Sequence, residues 1–326
     1  MSVSWLIPVR DGAAWLGDAV GSALAECDAH DQVVVVDDGS SDNPRQSVED
    51  DSRILWLEQG PLGIAAALEY GRSHCIHPYI ARLDSDDVAL PGRIRAQVQA
   101  LDADPSLAVV GGKAEIFCDE GAVPEGMARY VAWVNGLQDL HREILVESPL
   151  FHPGVLMRAS ALDHVGGYRG GDLPEDYDLW LRLDRAGFGL AAVSELVVRL
   201  RDRPGRLTRT DPRYRQAAFE QVKKEWLKTG PLSSARKVAV WGAGKTGKRW
   251  LRWLKAEGHD VHAVLDVHCR TERQGVPVLA PERLVDLEVD CLFVAVGARG
   301  ARASIRSQIQ TLRADWAEGS DWWALT

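Results

Sequence analysis

The four consecutive valines Val33-Val34-Val35-Val36, closed by Asp37-Asp38-Gly39-Ser40, constrain the fold more than any other segment. β-Branched residues favour a strand. A strand with one wet face alternates apolar and polar residues; this run does not alternate, so both its faces must be covered. Helices on either side would cover them, and the flanking sequence supplies candidates. Trp15, Leu16, Ala19, Val20, Ala23 and Leu24 recur at helical spacing before the run, and residues 63–74 form an Ala-rich helical stretch after it. Residues 3–9, 54–57 and 79–83 read as further strands, and 93–101 as another helix. Short apolar strands alternating with helices predict a doubly wound α/β sheet.

In such sheets ligands bind beyond the carboxyl ends of the strands. Three motifs stand at those ends: Pro8-Val9, Asp37-Asp38 and Asp84-Ser85-Asp86-Asp87. The last puts three carboxylates into four positions, where they repel one another. A cation relieves that repulsion. Carboxylate oxygens suit a divalent ion such as Mn2+ or Mg2+, which commonly brings phosphate oxygens with it. A solvated acidic turn ahead of Pro91 is the other reading of the same residues.

Further along, 107–116 reads as a strand, followed by a less regular region. Residues 137–146 fit a helix and 154–157 a strand. Glu175-Asp176 opens an amphipathic helix with Leu179, Trp180 and Leu183 inward, and 190–200 is strand-like. The stretch 199–215 is densely basic and contains Pro204-Gly205, so it reads as a loop. A helix over 217–227 leads into Thr229-Gly230-Pro231. A second, smaller α/β unit follows, with strands at 238–241, 261–265 and 291–296.

A chain of 326 residues exceeds a single core, and the linker divides it into domains 1–230 and 231–326. Charge supports the division: residues 1–234 carry 24 basic against 36 acidic side chains, net −12, while 235–326 carry 14 against 11, net +3. A total of −9 argues against a nucleic-acid partner. Cys27, Cys75, Cys118, Cys269 and Cys291 form no CxxC and read as reduced core thiols of a cytoplasmic protein. No apolar run reaches the length of a membrane span, and the N-terminus lacks the basic region of a signal peptide. Trp316, Trp322 and Trp323 are expected to pack on their own domain, with peripheral membrane contact as the alternative.

Several ordered motifs resemble those of the inverting glycosyltransferases of family 2, which have the GT-A fold. They are Ile7-Pro8-Val9-Arg10-Asp11-Gly12, Val36 to Asp42, Gly63 to Leu68, Arg82 to Asp87, His152 to Leu156, Gly166-Gly167-Tyr168 and Glu175 to Trp180. The resemblance covers roughly residues 2–210. It implies that Pro8 and Val9 line a nucleoside pocket and that Asp37 accepts from the base, most often uracil. It implies that Asp84 and Asp86 bind the nucleotide, and that Asp86 and Asp87 hold Mn2+ or Mg2+ on the diphosphate. Asp176 becomes the base that deprotonates an acceptor hydroxyl, and His152, Glu175 and Arg203 become contacts to acceptor or diphosphate. The family's first motif usually carries an aromatic and Asn where this chain has Arg10-Asp11. Arg203 stands where many members carry a His; a guanidinium cannot bind metal but can pair with a diphosphate. Within residues 2–210 there is no Gln/Arg-x-x-Arg-Trp motif of the processive synthases, which favours single addition.

Gly242-Ala243-Gly244-Lys245-Thr246-Gly247 is a complete GxGxxG after a strand, with Asp266 at the end of the next strand. In that context Gly242, Gly244, Gly247 and Asp266 are candidates for holding a nucleotide or dinucleotide. The unit resembles small Rossmann-like modules attached to sugar-modifying enzymes; a docking or oligomerising role, with the glycines kept for packing, is the alternative. The expectation is thus a GT-A-type doubly wound mixed sheet followed by a small Rossmann-like α/β domain. Its function would be metal-dependent, inverting, non-processive transfer from a nucleotide-sugar, UDP-linked by resemblance, to a hydroxyl of a glycan or lipid-linked precursor in polysaccharide biosynthesis, in the cytoplasm or at the inner membrane face. An NAD(P)-dependent sugar-nucleotide oxidoreductase is the rival, weakened by the lack of any Tyr-x-x-x-Lys. A non-catalytic nucleotide-sugar-binding protein is the third reading. Oligomeric state, a homo-oligomer included, is left open.

Overall fold

Val33 to Val36 are fully buried in β2 (Gln32–Asp38), and their neighbours explain the missing alternation. Val33 and Val35 join Trp5 and Ile7 of β1 (Val3–Val9) in one cluster with Leu16, Ala19, Val20 and Ala23 of α1 (Ala13–Ala25). Val34 and Val36 face the other way with Leu6, toward α2 (Ile64–Arg72). There a methyl at Gly71 would lie 2.3 Å from Leu6 Cδ1 and 2.6 Å from Val36 Cγ2. Both faces of the strand are therefore covered, and α2 comes close enough that only glycine fits.

The computed structural model describes residues 2–268 and 271–326. They form two compact units, Met1–Leu140 with Ser148–Val222, and His141–Glu147 with Lys223–Thr326. The sequence places its linker further on, at Thr229-Gly230-Pro231; the contacts divide the chain earlier, inside the helix that precedes it.

In the first unit β1 and β2 are joined by β3 (Ile54–Gln59), β4 (Tyr79–Arg82), β5 (Val88–Ala89), β6 (Leu107–Phe117), β7 (Leu156–Arg158) and β8 (Gly189–Arg201). Their order is β3-β2-β1-β4-β7-β6-β8-β5. The first four are parallel, β7 runs against both β4 and β6, and β6 and β8 are parallel. This is a mixed α/β sheet, as the sequence predicts. The helices after α2 are α3 (Arg93–Ala103), α4 (Glu125–Asn135), α5 (Leu140–Glu143), α6 (Ala159–Val165), α7 (Glu175–Arg185), α8 (Leu207–Thr210) and α9 (Gln216–Lys228); α5 falls almost wholly in the second unit and α9 runs from the first into it.

The middle of the unit corrects three expectations. The helix expected over 137–146 is only the four-residue α5, and the helix of that region is α4, where the reading had an irregular stretch. Asn135 fixes the end of α4 on β6: its Oδ1 accepts from Ala114 N–H at 2.9 Å and its Nδ2 donates to Ala114 O at 2.8 Å. The strand expected at 154–157 starts later, because His152–Gly154 close a 3-10 turn around Pro153. The basic loop contains the single turn α8.

The second unit holds β9 (Lys237–Trp241), α10 (Lys245–Ala256), β10 (Asp260–Leu265), β11 (Glu272–Arg273), β12 (Val276–Leu279), β13 (Cys291–Val294), α11 (Ala301–Leu312) and β14 (Trp322–Ala324). The sheet order is β11-β12-β10-β9-β13-β14, parallel except for β11. Trp316, Trp322 and Trp323 are buried, and Trp323 stacks on Phe293 at 5.6 Å between ring centres. No described helix is long and apolar enough to cross a membrane. Burial pushes the thiols of Cys27, Cys75 and Cys291 up to about 12, and these cysteines and Cys118 are free. Cys269 lies outside the described residues.

Candidate active site

The carboxyl ends of β1, β2 and β4 set three loops side by side. Pro8 and Val9 pair with Val36 and Asp37 across the first two strands. Asp11 N–H donates to Ser40 Oγ at 3.0 Å, and Asp11 Oδ1 accepts from Ser41 N–H and Oγ at 2.8 and 2.9 Å. These bonds hold the Asp11 carboxyl below the usual carboxylate range. Asp11 takes the place the family gives to Asn, and it works here as a loop clamp. Asp37 is half-buried, with Oδ1 accepting from Ser40 N–H at 2.9 Å. Asp38 is buried and structural: it accepts from Gln59 Nε2 at 2.7 Å and from the amides of Leu62 and Gly63, each at 2.9 Å, at the start of α2.

One oxygen from each of Asp84, Asp86 and Asp87 falls within 4.8 Å of the others. Asp87 is fully buried, its Oδ1 accepting from Arg201 N–H at 2.7 Å. Burial, then the charges of Asp84 and Asp86, push its carboxyl well above the ordinary range. Its Oδ2 is buried with no hydrogen-bond partner among the described residues. Three hard oxygen donors and one buried orphan oxygen are a set that fits Mn2+ or Mg2+. Cationic groups surround them. Buried Arg82 pairs with Asp84, and Arg203 Nε donates to Asp86 Oδ2 at 2.7 Å. Arg201 Nε donates to the Asp86 carbonyl at 2.8 Å.

The floor beneath is braced by two buried polar side chains that the sequence reading missed. Arg93 donates to the carbonyls of Arg82, Pro153 and Val155 at 2.7, 2.9 and 3.0 Å, and lies 5.0 Å from the Trp5 ring centre. Gln97 Nε2 donates to Val110 O and Gly154 O at 2.9 and 2.7 Å. Burial pushes the Arg93 guanidinium down to about 9. Together they tie β4, β6 and the 152–155 turn into one frame.

Asp176 and Glu175 share the first turn of α7 but not one environment. Asp176 is half-buried, its Oδ1 accepting from Tyr177 N–H at 2.7 Å. Glu175 is buried; desolvation raises its carboxyl, and Tyr214 OH donates to its Oε2 at 2.7 Å. His152 is buried too, with Nε2 2.9 Å from Tyr168 OH and Nδ1 3.9 Å from Glu175 Oε1. Burial, then Arg82, push its imidazole well below the usual range, so it is neutral. His152 and Glu175 thus share a buried, hydrogen-bonded scaffold with Tyr168 and Tyr214. The Gly166-Gly167-Tyr168 motif completes that scaffold. Tyr168 N–H donates to Glu69 Oε2 at 2.9 Å, and a methyl at Gly167, whose φ is +63°, would sit 2.2 Å from that oxygen.

In the second unit the glycine loop is tightly packed. Gly242 has φ +122°, and a methyl there would lie 2.8 Å from Ala295 O; at Gly247 it would lie 1.7 Å from Gly242 O. Asp266 Oδ2 accepts from Ala243 N–H at 2.6 Å and Oδ1 from His268 N–H at 2.8 Å. Gly247→Ala is expected to destabilise this unit by about 1–3 kcal/mol through overpacking. Gly244→Ala, where a methyl meets nothing within 4 Å, is expected to change it little. Thermal melting of the two variants checks the contrast.

The family model described as Glycosyl transferase family 2 matches residues 4–166. An uncharacterized glycosyltransferase of Haemophilus influenzae is 27% identical over 230 residues, covering 69% of this chain and 82% of its own. The Escherichia coli UDP-Gal:alpha-D-GlcNAc-diphosphoundecaprenol beta-1,3-galactosyltransferase is 27% identical over 206 residues, 61% of this chain and 73% of its own. Among solved structures, Staphylococcus aureus TarS 1–349 in complex with UDP-GlcNAc superposes with a TM-score of 0.51 at 16% identity, over 72% of this chain and 75% of that one. The fold is shared with that structure.

Proposed function

We propose, because the chain belongs to glycosyl transferase family 2 and is a glycosyltransferase, that its first unit moves a sugar from a UDP-linked donor to a hydroxyl of a lipid-linked glycan precursor by a single displacement. The observation that carries this reading is the pairing of two carboxylate groups in one unit: the Asp84, Asp86 and Asp87 cluster, and half-buried Asp176 at the head of α7. Asp176 accepts the proton of the acceptor hydroxyl as its oxygen attacks the anomeric carbon. The bond from that carbon to the diphosphate oxygen breaks, and the electron pair leaves with the nucleoside diphosphate. One displacement inverts the anomeric centre. Asp86 and Asp87 would hold a divalent cation, with Asp84 beside them. When bound, that cation supplies the positive charge that steadies the leaving diphosphate.

Asp176 suits the base better than its neighbour. A base must reach solvent-borne substrate and be ionised near neutral pH. Glu175 is buried, raised by desolvation and held by Tyr214. Pro8, Val9 and Asp37 form the nucleoside end of the crevice. The lipid-linked acceptor and the UDP donor are favoured by the name of the Escherichia coli relative. For the second unit we infer that the glycines serve packing, since both oxygens of Asp266 are held by loop amides.

The test is nucleoside diphosphate release from a panel of nucleotide-sugars with Mn2+ and polyprenyl-diphosphate-linked sugars as acceptors. Release from a UDP-sugar that stops with EDTA and returns with Mn2+ is expected. Release insensitive to EDTA would remove the metal from this reading, and no release from any donor would remove the transfer.

A further inference from the structure

Arg203 already occupies the carboxylate on which the proposed cation would act. Its Nε lies 2.7 Å from Asp86 Oδ2, with the two side chains 29% and 12% exposed, so salt screens the pair weakly. Its guanidinium carbon sits 4.4 Å from the centre of the Trp15 ring, a cation–π contact that keeps the group beside the cluster. Arginine does not lose its proton in a protein, so pH does not clear Asp86. The preceding residue is anchored: Arg209 Nη2 lies 2.7 Å from both oxygens of Asp202. Any motion needed to free Asp86 is therefore that of the Arg203 side chain.

Arg206 adds a second cation. Its Nη1 is buried with no hydrogen-bond partner among the described residues, and the charges of Asp87, Asp84 and Asp86 act on it. Arg82 is paired with Asp84. Two guanidiniums are thus paired with carboxylates of the cluster, and a third feels its charge. A dication arriving alone meets a cluster already neutralised, and must displace a like charge to reach Asp86 Oδ2. A diphosphate arriving alone meets Arg82 and Arg203 already committed to carboxylates. Arriving together, each releases what the other needs.

We propose that Arg203 is the resident counter-cation of Asp86, and that a divalent cation takes its place only as the guanidinium transfers to the donor's diphosphate, which Arg206 Nη1 also receives. The proposal rests on the metal–diphosphate reading above. Metal and nucleotide then bind as a coupled pair, and the coupling is reciprocal.

The experiment is a Mn2+ titration of the full chain, read by the electron paramagnetic resonance signal of free Mn2+, with and without UDP, for the unaltered protein and Arg203→Gln. Without UDP the variant is expected to bind Mn2+ about tenfold more tightly, within the range usual for coupled sites. UDP is expected to tighten Mn2+ by about tenfold or more in the unaltered protein and by clearly less in the variant. If the unaltered protein binds Mn2+ with UDP while Arg203→Gln binds Mn2+ alone no better, the counter-cation role is overturned and the metal site stands. If neither binds Mn2+ even with UDP, both fall together. Trp15→Leu, which removes the aromatic face and leaves Arg203 in the chain, is the second variant should Arg203→Gln not fold. It is expected to strengthen Mn2+ binding without UDP, and an unchanged or weaker affinity overturns the proposal equally.

Discussion

Asp176→Asn is expected to lower kcat by about 10² to 10⁴ while Mn2+-dependent UDP binding stays unchanged. The substitution keeps shape and an oxygen for the Tyr177 amide, so the start of α7 is retained. What it removes is the capacity to accept a proton from the acceptor hydroxyl. Asp176 is not one of the three carboxylates that would carry the cation, so donor affinity is not its concern. Steady-state kinetics with calorimetric UDP binding separates the two effects. Glu175→Gln gives the contrast. Glu175 is buried against Tyr214 and near His152, so its change is expected to appear first as lost stability. A variant of Asp176 that turns over at the unaltered rate would leave the proposed displacement without its base.

Asp86→Ala is the second large effect. It is expected to lower kcat/KM by about 10³ or more, the rate equivalent of several kcal/mol of charge stabilisation. Here, unlike with Asp176, Mn2+-dependent UDP binding is expected to vanish as well. The fold should tolerate the change. The Asp86 carboxylate's hydrogen-bond partner is Arg203, and the Asp86 carbonyl keeps its bond from Arg201 Nε. Retained Mn2+–UDP affinity in this variant would show that Asp86 does not carry the cation.

Where the site lies was readable because strand ends are readable. The unalternating valines fixed a two-faced strand, the strand fixed where its loops emerge, and the acidic motifs sat in those loops. The resemblance already set Asp37 apart from Asp38, and the structure supplies the physical reason. The two are neighbours in sequence, and the distinction comes from residues 59–63 folding back onto Asp38. Arg93 and Gln97 were hidden. Their helix reads as an ordinary polar face, and the carbonyls that justify burying them come from Val110 and residues 153–155. Arg206 and Tyr214 lie in a stretch without periodicity, where a count of arginines gives charge but no partner. That Arg203 stands in an unusual position was legible; that it rests on Asp86 was not.

The central claim is that the sugar moves in one displacement, with Asp176 as base. The configuration of the product's new glycosidic bond tests it most directly. With an α-linked UDP-sugar and a polyprenyl-diphosphate-linked acceptor, proton NMR of the product should show a β linkage. An α linkage would require retention, and with it a mechanism this pair of carboxylate groups does not provide.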